Sequence, residues 1–145
     1  MLAVARDKVL SAALGDRVEL IEMGVSGMDR FADTSFDVVI STLAFSELSV
    51  DEQAYALDHA HRILRAGGLL AIADEARPTT FGKRLLHNIV RLPLLAVTFA
   101  ITQTTTHAVQ GLGDRIRTAG FVVEKEERSA LDSFLYLIAK KDTGR

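Results

Sequence analysis

The sequence predicts an α/β fold built on a mostly parallel sheet, and three observations predict it. Phe36-Asp37-Val38-Val39-Ile40-Ser41 is a short apolar run that stops at a hydroxyl. Asp51 to Arg65 has helical spacing, with Leu57, Ala60 and Leu64 on one face. Gly67-Gly68 then turns the chain into a second apolar run, Leu69 to Ala73, which stops at Asp74-Glu75. Two apolar runs around one helix make a β-α-β unit. Val38, Val39 and Ile40 are consecutive, so the first strand is expected to be buried on both faces. Ligands bind outside the carboxyl ends of such strands. Those ends carry Ser41-Thr42 and Asp74-Glu75.

The other elements follow in order. Leu2, Ala5, Val9 and Ala13 recur at helical steps, and Gly15 is placed to end that helix. Val18 to Ile21 reads as a short strand, followed by a loop with Gly24 and Gly27. Asp33-Thr34-Ser35 turns into the Phe36 strand. Ser49 and Glu52 have the spacing of a capping box at the start of the Asp51 helix. Phe81 to Ile101 is apolar and reads as two helical pieces interrupted near Pro93. A further helix ends at Ala119-Gly120. Phe121-Val122-Val123 and Phe134 to Ala139 form a terminal antiparallel hairpin with a long, charged connection. All 145 residues read as a single domain, with 80–106 as a helical insert or lid.

Composition narrows the function classes. The chain is 48% hydrophobic and 25% charged, enough to build a core. A net charge of −2 supplies no basic field for nucleic acid or an anionic membrane. Without cysteine there is no disulfide, thiolate nucleophile or cysteine metal site, and the cytoplasm is the default compartment. Ile89 to Ile101 contains Arg91 and Pro93 and falls short of the roughly 20 residues a bilayer span needs. The four histidines have no zinc-site spacing, and no metal site is expected.

Phe36-Asp37-Val38-Val39-Ile40-Ser41, Ile63-Leu64-Arg65-Ala66-Gly67-Gly68-Leu69-Leu70 and Ala119-Gly120-Phe121, in this order and spacing, resemble the class I S-adenosylmethionine-dependent methyltransferases. The resemblance runs from that family's second helix to its end. It implies a Rossmann-like sheet, here incomplete, with S-adenosylmethionine as cofactor and a small-molecule methyl acceptor. Val18 to Val25, Phe45 to Ser49, Asp74-Glu75 and Thr102 to Thr106 are similar to the corrinoid-protein-associated methyltransferases. That implies a neighbourhood with corrinoid methyl-transfer systems and a corrinoid protein as partner; a second copy of this chain is the other expected partner. The family's glycine-rich turn and the acidic residue at the end of its second strand would both precede Met1. The chain therefore reads as N-terminally truncated, and binding of the cofactor by this chain alone is in question. The family sheet order, 3-2-1-4-5-7-6, would leave Val18 to Ile21 without neighbours. Its strand is expected to repack or to leave the chain poorly stable.

Carried over residue by residue, the resemblance implies that Met23, Gly24 and Val25 flank the adenine. Ser41, Thr42 and Leu43 would face the methionine part of the cofactor. Glu47 is the candidate base, with Ser46, Asp74 and His107 as candidate acceptor contacts. Each has a plainer reading: a loop turn at 23–25, strand termination at 41–43, solvated carboxylates at Glu47 and Asp74. The competing function is a non-catalytic methyltransferase-like relic that binds a protein. A nicotinamide oxidoreductase shares the fold class, but the chain has no G-x-G-x-x-G.

Overall fold

The computed structural model describes residues 2–75, 111–129 and 134–142. The expected insert or lid at 80–106 and His107 fall outside them. In chain order come α1 (Leu2–Ser11), a 3-10 helix (Val25–Arg30), β1 (Phe36–Thr42), a 3-10 helix (Phe45–Glu47), α2 (Val50–Ile63), β2 (Leu64–Glu75), α3 (Leu112–Thr118), β3 (Phe121–Arg128) and β4 (Phe134–Lys141). The strands lie in the order β1-β2-β4-β3. β1 and β2 are parallel, and β4 runs antiparallel to both β2 and β3. The sheet is thus mixed, parallel at its start and antiparallel at its end, in the order of the last four strands of the class I methyltransferase sheet. Among the described residues, no helix is long and apolar enough to cross a membrane.

α2 starts where local chemistry dictates. The Ser49 hydroxyl accepts the Glu52 N–H at 3.3 Å, and the Glu52 carboxylate accepts the Ser49 N–H at 2.8 Å. This reciprocal pair satisfies two donors that a bare helix end would leave open. Ala56, Leu57, Ala60 and Ile63 form the buried face. They meet Leu70 and Ile72 of β2 in a core that also takes Leu112, Ile116, Phe121, Leu135 and Leu137.

α2 ends at Ile63, short of Arg65, and the two glycines sit inside β2 rather than before it. The register slips between the Phe36↔Leu64 and Val38↔Leu69 pairs, so four residues of β2 bulge. Gly67 adopts φ 74° within that bulge. A Cβ on Gly68 would lie 2.9 Å from the Arg65 carbonyl and 3.0 Å from that of Asp37. Glycine is what lets the two backbones close here.

Four expectations are corrected. Val18 to Ile21 is not a strand and stands outside the sheet. A strand needs a hydrogen-bonding partner, and β1, an edge of the described sheet, pairs only with β2. For the same reason β1 is not buried on both faces: Val38 is 46% and Ile40 73% exposed. α1 buries no residue and closes at Ala13, not Gly15. Ala13 takes φ 54° while Leu14 N–H reaches Val9 O and Ala13 N–H reaches Leu10 O, both at 3.0 Å, the Schellman pattern. Finally, the charged stretch after Val123 is not a connection. It continues β3 to Arg128 around a bulge between Val123 and Lys125.

Candidate cofactor and acceptor site

The carboxyl ends of β1 and β2 lie side by side, in register from Val38↔Leu69 to Thr42↔Ala73. The Leu43 N–H donates to Ala73 O at 2.9 Å, extending the ladder one residue past β1. Leu43 then takes φ 54°, a left-handed conformation that costs an L-residue roughly 1–2 kcal/mol. That residue swings the chain into the Phe45–Glu47 3-10 turn.

Beside this turn is a cavity of about 380 Å³, bounded by β1, α2 and the 23–31 segment. Met23, Val25 and Ser41 all line it, so three of the six residues proposed to hold the cofactor meet around one space. Gly24 is extended and precedes the first 3-10 helix. Thr42 and Leu43 are exposed at the strand end. Of the acceptor-side residues, Glu47 is exposed and Ser46 is 3% exposed, so the hydroxyl lies beneath the turn rather than on it. Asp74 is wholly buried. Its Oδ2 accepts the Phe45 N–H at 2.7 Å and its Oδ1 the Glu75 N–H at 2.8 Å. Both carboxylate oxygens are engaged by the chain's own backbone.

Two positioning residues escape a reading of the sequence. Gln53 is 5% exposed and donates to Phe45 O at 2.8 Å and Leu48 O at 3.1 Å. The Arg115 guanidinium donates in turn to the Gln53 amide oxygen. A polar residue in helical register with Ala56, Leu57 and Ala60 was the signal available for it. Arg62 donates to Phe31 O at 2.8 Å, to Met28 O at 3.1 Å and to the Asp33 carboxylate. Tyr55 donates to Ser26 O at 3.2 Å. One face of α2 thereby fastens the segment that carries the adenine-side candidates. His59 and His61 part company: His59 packs on the Tyr55 ring at 4.1 Å, and His61 meets Phe121 edge-on at 5.1 Å.

Among the described residues, Ser41 is the single polar one lining the cavity. The flat face of a ring such as adenine suits that lining, while its polar edge would need backbone partners. The ribose hydroxyls and the amino-acid end of S-adenosylmethionine would need charged or polar partners, which the lining does not supply. The fit therefore covers one end of the cofactor.

A parallel β-α-β unit, turned at its strand ends and continued into an antiparallel hairpin, defines the class I methyltransferase fold. Residues 1–72, just under half of the chain, match the methyltransferase domain family. Over 79 residues it is 34% identical to the ubiquinone/menaquinone biosynthesis C-methyltransferase UbiE of Hahella chejuensis, covering 54% of this chain and 30% of that protein. The chain thus spans 30% of the length of the curated relatives it matches. Among solved structures, the [4+2]-cyclase SpnF superposes with a TM-score of 0.72 at 17% identity, over 98% of this chain and 62% of the cyclase. An O-methyltransferase family protein from Burkholderia thailandensis gives 0.70 at 21% identity, over 97% and 41%. These likenesses show the fold alone, and one of the two carriers is a cyclase.

Proposed function

We propose that this chain forms part of an S-adenosylmethionine-dependent methyltransferase acting on a small-molecule acceptor. The observation that carries the reading is the convergence of Met23, Val25 and Ser41 on one cavity, within the stretch 1–72 that matches the methyltransferase domain family. The cofactor would supply the methyl group as an electrophile. The protein's task is then to hold donor and acceptor in line, which is worth several powers of ten in rate. Met23 and Val25 offer the adenine an apolar face, and the backbone of Ser41 to Leu43 borders the methionine side. The UbiE relative is by name a C-methyltransferase of ubiquinone/menaquinone biosynthesis, which points to a carbon atom as the methyl acceptor. Such a carbon loses a proton after attack, and Glu47 is the exposed carboxylate next to the strand end that can take it. A corrinoid protein or a second copy of the chain is the partner class that the subfamily resemblance implies.

Calorimetric titration of S-adenosylhomocysteine into the 145-residue chain tests this reading. Saturable micromolar binding is expected. A folded sample that gives no binding heat overturns the reading for this chain.

A further inference from the structure

We propose that Asp74 and Gln53 are positioning residues that clamp the Phe45 peptide and so set the strand-end turn on which cofactor and acceptor meet. The inference rests on the methyltransferase reading above and deepens it. The Phe45 backbone is gripped at both of its flanking peptide groups by side chains of two different elements. Asp74 of β2 accepts its N–H at 2.7 Å, and Gln53 of α2 donates to its C=O at 2.8 Å. Gln53 also ties Leu48 O, at the far end of the same turn, and is itself bonded by Arg115 from α3. A carboxylate with no exposed surface is costly to bury, and it persists only where charge-assisted hydrogen bonds compensate. Here both of its oxygens are spent on backbone N–H groups at the carboxyl end of the sheet.

The clamp acts on the residues that matter. Phe45 lies two residues after the left-handed Leu43 and two before Glu47, and its own ring is buried in the cavity wall. Fixing its N–H fixes the direction in which the chain leaves β1. Fixing its C=O fixes the start of α2 relative to that exit. The path of the chain from Ser41 through Leu43 to Glu47 is then determined by groups that would touch neither cofactor nor acceptor. A left-handed leucine is the strain such a clamp would hold in place.

The test is Asp74→Asn in the 145-residue chain, with three readouts: backbone amide resonances, affinity for S-adenosylhomocysteine, and thermal unfolding. Asparagine keeps the shape but turns an N–H₂ group toward one of the two backbone donors. The Leu43, Phe45 and Glu47 amide signals are expected to move while those of β3 and β4 stay. Affinity is expected to weaken roughly tenfold, about the worth of one hydrogen bond. Gln53→Met is the second variant. It removes the other half of the clamp with no charge change, and is expected to move the same turn signals. The proposal is overturned if either folded variant melts lower yet leaves the turn signals and the affinity unchanged, since that is a purely structural role. If the unaltered chain binds no S-adenosylhomocysteine, the methyltransferase reading fails for this chain, while the turn signals still decide the clamp.

Discussion

Replacing Arg62 by methionine is expected to free the 25–31 segment from α2 while leaving the sheet intact. Arg62 makes two well-formed bonds, to Phe31 O at 2.8 Å and Met28 O at 3.1 Å. The contact to Asp29 O at 3.4 Å is marginal. The Asp33 carboxylate is 73% exposed, so that ion pair adds little. Methionine retains the apolar stem, so the loss is confined to the guanidinium. Two bonds at about 1 kcal/mol each give a local destabilisation of about 2 kcal/mol. That corresponds to an increase of roughly thirtyfold in local opening. Hydrogen exchange reports it at the Gly27 and Phe31 amides, which bond to Gly24 O at 3.0 Å and Met28 O at 3.3 Å. Both should exchange roughly thirtyfold faster, with Ala71 and Leu137 unchanged. Equal acceleration across β2, or none at Gly27 and Phe31, would refute the assignment of Arg62 as the fastener of this segment.

Three other outcomes are expected. Ser49→Ala should cost about 1 kcal/mol in chemical denaturation, the usual worth of an N-cap. Hydrogen bonds from the Ser49 backbone and side chain hold the Glu52 carboxyl below its ordinary 4.5, so this contribution is complete above that pH and is lost as pH falls below it. The acid-side slope should flatten in the Ser49→Ala variant. Burial, then Lys141, lowers the His61 pKa from its ordinary 6.5; stability is therefore complete above pH 6.5 and declines as acid drives the ring to charge. His61→Gln should remove that decline from a pH series of melting temperatures, and an unchanged series would count against the half-buried ring as its source. Leu43→Gly should stabilise the chain by about 0.5–1 kcal/mol through relief of its left-handed backbone, and a loss of stability would argue that the leucine side chain anchors the turn.

What was legible in the sequence was local. The Ser49–Glu52 box spans four residues and reads directly, and so do the β1–α2–β2 order and the Ala119-Gly120 helix end. The features that failed depend on neighbours a sequence does not show. Val18 to Ile21 has the right residues for a strand but finds no partner edge. Val38 to Ile40 has the composition of a central strand yet stands at the margin of the described sheet. Asp74 was marked by its place at a strand end, but its partner Phe45 lies 29 residues earlier, and only the fold brings the two together. Met23, Val25 and Ser41 were named from the resemblance, and the structure supplies what sequence could not: a shared cavity and its apolar character.

β2 is where two differently built halves of the molecule are joined. β1 meets β2 across 28 to 31 residues of chain, from Phe36↔Leu64 to Val38↔Leu69. β4 meets it across 59 to 71, from Glu75↔Phe134 to Leu69↔Lys140. The β3–β4 hairpin closes a much shorter loop, with Arg128 opposite Leu135. Loop-closure entropy grows with chain length and must be met before distant contacts repay it. The two local units can therefore form early and separately, and docking of β4 onto β2 is the late event that completes the core. Asp74, opposite Leu135 on this seam, reaches its final burial only when β4 arrives. The Asp74 bond to the Phe45 N–H lies wholly within the β1–α2–β2 unit, so β4 covers a strand-end turn that this unit already defines.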